Sequence, residues 1–141
     1  MSKLTEMLRR HEGVETHAYK CTSGKITIGC GRNIDPDGGL GLSDDEIEYL
    51  LENDTAQCAK ELGGAFDWFS GLSEARRDAM IDLVFNMGLT RLTGFKKALA
   101  AMADANYDLA AAEFMQSKYA SQVGNRAIEI CAMIKTGKYL K

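Results

Sequence analysis

Apolar residues recur at helical spacing along most of the chain, and one stretch breaks the pattern. Leu4, Met7 and Leu8 fall at i, i+3 and i+4, which predicts a short helix over 3–11 with Gly13 placed to end it. From Ala18 to Ile34 the spacing is lost. Tyr19, Ile26, Thr27 and Ile28 are strand formers separated by Ser23-Gly24 and Gly29-Cys30-Gly31, so a small antiparallel sheet with tight turns is expected. Asp35 to Gly39 reads as a loop on its turn chemistry. Ser43-Asp44-Asp45-Glu46 is a capping box, and its acidic first turn suits the helix dipole. The helix it opens carries Ile47, Leu50, Leu51, Asp54 and Cys58 on one face and is expected to stop at Gly63-Gly64.

Four further helices are predicted. Ser73 caps one that runs to Met87, with Ala79, Met80, Leu83, Val84 and Met87 inward. Thr93 opens the next, burying Phe95, Leu99 and Met102, and Asp108 begins a third, burying Leu109, Ala112 and Met115. The last covers Arg126 to Lys135 with Ala127, Ile130, Cys131 and Ile134 as its stripe. The fold class that follows is α+β, mainly α. A sheet lobe over about 12–42 is joined by a long helix over about 43–62 to a helical lobe over about 63–141, against which the 3–11 helix packs. A strut between two lobes leaves a groove suited to a polymeric ligand.

Composition sharpens this picture. At 141 residues, 45% hydrophobic and 26% charged, the chain is one globular domain rather than a disordered, collagenous or disulfide-stapled one. The net charge of −3 argues against a nucleic-acid binder. It is unevenly spread: residues 1–62 hold seven Lys/Arg against twelve Asp/Glu, a net of −5, and 63–141 hold ten against eight, a net of +2. No segment approaches the ~18 apolar residues of a membrane span, and the opening residues lack the apolar core of a signal peptide, so cytoplasmic synthesis without stable membrane association is expected. Cys21, Cys30, Cys58 and Cys131 are widely spaced and read as reduced thiols. With His11 and His17 they match no common zinc interval, so no metal and no other cofactor is expected.

Glu12 is the first candidate for chemistry. A carboxyl at a helix C-terminus faces the negative end of the dipole, which disfavours its charged form, and partial burial acts in the same direction. A protonated carboxyl is what a general acid requires. The residues around it carry a resemblance. His11-Glu12-Gly13, then Tyr19-Lys20-Cys21-Thr22, then Gly24-Lys25-Ile26-Thr27-Ile28-Gly29 and Gly31 resemble the active-site segment of phage lysozymes, also called endolysins. Arg76-Arg77, Val84 to Gly88, Gly94-Phe95, and Asn125-Arg126-Ala127 through Thr136-Gly137 follow that family's C-terminal lobe in order and spacing.

The resemblance implies hydrolysis of the β-1,4 bond between N-acetylmuramic acid and N-acetylglucosamine in bacterial peptidoglycan. Glu12 matches the proton donor, and Thr27 the hydroxyl that holds the attacking water. Arg126 matches an arginine near the catalytic glutamate, and a contact to Glu12 is expected of it. Asn86, Gln122 and Arg126 are the candidate substrate-binding residues. Cys21 stands where the family usually has aspartate, the second carboxylate of the reaction. Lys20 and nearby turn amides are expected to lower its pKa, and the resulting thiolate acts as base to water or attacks the sugar itself. Asp35 and Asp37 read as turn formers, and Arg32 as structural. Two other functions compete: a lytic transglycosylase with Glu12 as sole acid and base, and a non-catalytic glycan-binding relic. The implied setting is a monomer held in the host cytoplasm that reaches the wall through holin lesions.

Overall fold

The computed structural model describes residues 2–140. It is mainly helical with one small sheet, and it divides into two compact units, one ending at Leu50 and the other beginning at Leu51. The division falls inside the long helix.

In the first unit, α1 (Lys3–Glu12) starts at Ser2, whose hydroxyl accepts from the Thr5 amide. It ends at Gly13, which takes φ +75° and donates to the Arg9 carbonyl. The chain then forms three antiparallel strands in sequence order: β1 (Glu15–Lys20), β2 (Ile26–Gly29) and β3 (Arg32–Asn33). Tyr19 pairs with Thr27 and Glu15 with Gly29, with an irregularity between them, while Thr27 and Ile28 pair with Asn33 and Arg32. β1 starts earlier than the composition of its first residues suggested. Asp35 organises the loop that follows: its Oδ1 accepts from the Ile26 amide and its Oδ2 from the Asp37 amide, which holds its carboxyl below the usual range. This is the turn role expected of it.

The capping box forms as read. The Ser43 hydroxyl accepts from the Glu46 amide at 3.2 Å, and Glu46 Oε1 accepts from the Ser43 amide at 2.8 Å. The helix it opens, α2 (Asp44–Ala65), does not stop at Gly63-Gly64 but runs through both. Each glycine costs a helix about 1 kcal/mol. Leu62, fully buried, and the Phe66 amide bond back to the Leu62 carbonyl carry the last turn past them. Just beyond, Phe66 and Trp68 stack at 4.9 Å, and a one-turn 3-10 helix covers Phe69–Gly71. Of the face proposed for α2, Cys58 is buried, whereas Ile47, Leu50 and Leu51 are exposed.

The second unit holds the core. α3 (Glu74–Met87), capped by Ser73, buries Ala79, Met80, Leu83 and Val84 as expected. A short α4 (Leu89–Leu92) precedes α5 (Lys96–Ala103), so Thr93 does not open a helix; its hydroxyl donates to the Thr90 carbonyl instead. α6 (Tyr107–Met115) is capped by Asn106 and buries Ala110, Ala111 and Phe114, while Leu109 and Met115 are exposed. The expected stripe is therefore wrong. Phe114 fixes the buried face by packing on Phe95 at 5.6 Å, and small alanines on that face allow close approach of neighbouring helices. α7 (Lys118–Val123), capped by Ser117, was not foreseen. α8 (Asn125–Thr136) buries Ala127, Ile130, Cys131 and Ile134, the predicted stripe.

Candidate active site

The end of α1 and the β2–β3 turn hold Glu12. The turn bends sharply at Gly31, φ +73°, and the Glu12 carboxyl lies directly on it: a Cβ at position 31 would stand 2.7 Å from Oε2 and 3.0 Å from Cδ. Only glycine admits that approach. Glu12 and Gly31 line a cavity of about 510 Å³ with Thr5, Leu8, Arg9 and Cys30. The partial burial expected of Glu12 is not found; its side chain is exposed at the mouth of this cavity.

Cys21 sits where β1 turns toward β2. Its amide donates to the Lys25 carbonyl at 3.0 Å, and Gly24 donates back to the Cys21 carbonyl at 2.8 Å, closing a tight loop. The loop brings Ser23 Oγ to 3.1 Å from the half-buried Cys21 Sγ. The thiol is lowered from 9.0 to about 7. The Ser23 hydroxyl contributes most, then the backbone amides of Lys25 and Ser23, against a small desolvation that acts the other way. Lys20, expected to help, is not among the causes, whereas the turn amides are. About half the thiol is therefore ionised at neutral pH.

Thr27, on β2, is the buried polar side chain of this unit at 4% exposure. Its hydroxyl donates to the Lys25 carbonyl at 3.0 Å. With its single proton committed there, it has little to give the sulfur and is the weakest of the influences on Cys21. Its oxygen keeps lone pairs for a hydrogen bond from water. Thus Lys25 orients both groups through its backbone, while its ammonium is held by Asp37 at 3.3 Å and Asp35 at 3.9 Å.

The remaining candidates lie in the second unit. Arg126 Nε donates to Asp82 Oδ1 at 2.9 Å, and both line a cavity of about 640 Å³ with Glu52, Thr55, Asp78 and Phe85. Asp82 as a partner of Arg126 was not foreseen. The spacing of Asp82 in α3 among core residues carried no sign of its partner. Gln122 accepts from Arg91 Nη2 at 3.4 Å, and Asn86 is exposed; neither lines that cavity. Tyr119 is 3% exposed in the core of this unit, where burial pushes its phenol up to about 12. Cys58 and Cys131 are buried thiols, both raised chiefly by desolvation. Gly31 and Ser23 were the site's missed residues. Gly31 appeared only as part of a motif, and Ser23 only as a turn former.

A glutamate at a helix end over a three-stranded sheet, in a chain otherwise built of helices, defines a lysozyme-like α+β protein. Comparison with known proteins narrows the class. The phage lysozyme family matches residues 9–130. An endolysin of Acyrthosiphon pisum secondary endosymbiont phage 1 is 31% identical over 120 residues, covering 85% of this chain and 80% of its own. The probable T4-type lysozymes 2 and 1 of Dictyostelium discoideum are each 26% identical over 163 aligned positions, covering 97% of this chain and 96% of theirs. The chain belongs to the phage lysozyme family, and its activity is that of a lysozyme-type hydrolase on peptidoglycan.

Proposed function

We propose that the protein is an N-acetylmuramidase that cleaves the β-1,4 bond between N-acetylmuramic acid and N-acetylglucosamine. Glu12 is the general acid, and Cys21 and Thr27 activate the water. The observation that carries the reading is the thiol lowered to about 7, beside a threonine oxygen with acceptor capacity to spare. A base whose pKa lies near the working pH combines a populated basic form with useful proton affinity.

In the proposed step Glu12 gives its proton to the glycosidic oxygen as the bond from that oxygen to the anomeric carbon breaks. Thr27 accepts a hydrogen bond from one O–H of the incoming water, the hydrogen that stays on the new anomeric hydroxyl. Cys21 thiolate takes the other as the water oxygen bonds to the anomeric carbon. The products are a reducing sugar, a Glu12 carboxylate and a Cys21 thiol, and solvent returns the proton to the first and removes it from the second. Attack by water inverts the anomeric centre, whereas attack by sulfur would retain it. Thr27, with an oxygen to orient a water, favours the first.

Biologically, the proposed role is lysis of a bacterial host by a monomer that gains access to the wall through holin lesions. The test uses purified peptidoglycan. Glu12→Gln is expected to abolish turnover, Cys21→Ser to cripple it and Cys21→Asp to restore much of it. Mass spectrometry should find reducing ends. A 1,6-anhydro product, lighter by one water, would mark a transglycosylase, and full turnover by Cys21→Ser would remove the sulfur from the reaction.

A further inference from the structure

Nothing in α1 itself fixes the Glu12 carboxyl. It is exposed, it is the last residue of its helix, and its close contact is with Gly31. The position of the acid is therefore set by whatever sets the β2–β3 turn. The strand pairing beyond that turn is short: β3 has two residues, paired as Thr27–Asn33 and Ile28–Arg32, with the Ile34 amide then donating to the Ile26 carbonyl at 2.8 Å. A ribbon so short is a weak anchor in water.

The residue after Gly31 supplies a further restraint, and one that reaches a helix. Arg32 Nη1 donates to the Gly41 carbonyl at 2.9 Å and to Glu46 Oε1 at 2.8 Å. Glu46 Oε1 also accepts from the Ser43 amide at 2.8 Å, so one carboxylate oxygen caps α2 and receives the guanidinium. Both side chains are partly shielded, at 32% and 39% exposure. The capping box, which the sequence offers as a helix start, thus doubles as an anchor for β3. A rigid helix end, a short strand and the turn carrying Gly31 become one body.

We infer that Arg32 and Glu46 are positioning residues for the reaction, holding Gly31 as the fixed seat of the Glu12 carboxyl. Neither touches the sugar. Their effect passes through the backbone from Arg32 to Gly31 and from there to Glu12. The inference rests on Glu12 as the general acid. It adds that the acid's placement depends on a pair some distance along the chain. Displacements of about 1 Å cost on the order of a hundredfold in rate, so a loosened seat is costly even in a folded protein.

The experiment measures kcat and KM on solubilised glycan strands for Arg32→Ala, Arg32→Lys, Glu46→Gln, Glu46→Ala and the double Arg32→Ala/Glu46→Ala, each normalised to its folded fraction by circular dichroism. Arg32→Ala should lower kcat about tenfold or more with KM within twofold. Arg32→Lys, which can still donate to Glu46, should recover part of the loss. The double variant should be no slower than the slower single, because both act through one contact. A role in stability alone would lower the melting temperature and leave normalised kcat unchanged, and that result overturns the inference. So do additive losses in kcat. If Arg32→Ala does not fold, Arg32→Lys and Glu46→Gln carry the same comparison. Glu12→Gln, measured alongside, separates the two levels. Full turnover there removes the general acid and this inference with it, whereas an inert Glu12→Gln beside unimpaired Arg32 and Glu46 variants removes only the inference.

Discussion

Gly31→Ala isolates the placement of the acid from its chemistry. The added methyl would stand 2.7 Å from Glu12 Oε2, where an ordinary contact begins at 3.4 Å, so the carboxyl must retreat by about 0.7 Å. Glu12 is exposed, so its carboxyl has room to retreat with little strain. The main cost to folding is an alanine at φ +73°, about 1–2 kcal/mol. A domain of this size has roughly 5–15 kcal/mol to lose, so the variant stays folded at 25 °C. Turnover should suffer far more. If 1 Å of misplacement costs about a hundredfold, 0.7 Å costs on the order of ten- to a hundredfold, equivalent to about 1.4–2.7 kcal/mol of barrier. Gly38→Ala is the control, because Gly38 has φ +82° and no atom within 4 Å of its added methyl. It should lose comparable stability and keep its rate. Reducing-sugar release from peptidoglycan gives the rates, and urea titration the stabilities. Equal rates for the two variants would refute the claim that Gly31 seats the acid.

Three further outcomes follow from the same geometry. Turnover should fall about tenfold per pH unit below about 7 as the Cys21 thiolate is protonated, and Cys21→Asp should move that limb down by about three units; a limb that stays in place excludes the thiol as base. Glu46 is held at about 2, against 4.5 ordinarily, chiefly by the Arg32 guanidinium, so its contribution to stability is complete above pH 4.5 and lost as pH falls toward 2; melting curves of wild type and Glu46→Gln should therefore differ at pH 6 and converge near pH 2. Phe114→Ala, at a side chain with no exposure, should cost about 3–5 kcal/mol by urea unfolding, and a loss under 1 kcal/mol would mean that Phe114 does not organise α6.

What could be read from the sequence was what local chemistry decides. Ser43 and Ser73 announced their helices because a hydroxyl followed by an acidic first turn satisfies amides that nothing else reaches. Ala127, Ile130, Cys131 and Ile134 gave the α8 stripe because they recur at i, i+3, i+4 and i+7, one face of a helix. Where alternatives existed, tertiary packing chose. Three successive alanines at 110–112 suit almost any face, and the Phe114–Phe95 contact, which no local pattern encodes, turned Leu109 and Met115 outward. Gly63-Gly64 read as a stop because their cost is local, while the burial of Leu62 that offsets it is not. The site divides in the same way. Glu12, Cys21 and Thr27 were legible as motif positions. The seat at Gly31, the Ser23 contact and the Asp82–Arg126 pair depend on turns and helix faces meeting in space.

The thiol at position 21 places a demand on its loop that an aspartate would not. An aspartate is ionised throughout the physiological range with no help. A thiol at its ordinary 9.0 would be about 1% ionised at pH 7, too little for a base, and here the Ser23 hydroxyl is the largest of the influences that bring it to about 7. Ser23 is thus as much a requirement of the reaction as the sulfur it faces. Removing it in Ser23→Ala leaves the amides of Lys25 and Ser23 in place, so the thiol should rise part of the way back toward 9.0. Turnover at pH 7 should drop as the thiolate fraction drops, and the ultraviolet absorbance of the thiolate should appear at higher pH in the variant than in the wild type. Cys21→Asp should make the serine dispensable, since a carboxylate needs no such partner. A Ser23→Ala enzyme with the wild-type pH profile would mean that sulfur ionisation does not limit the rate, and the assignment of Cys21 as the base would fall.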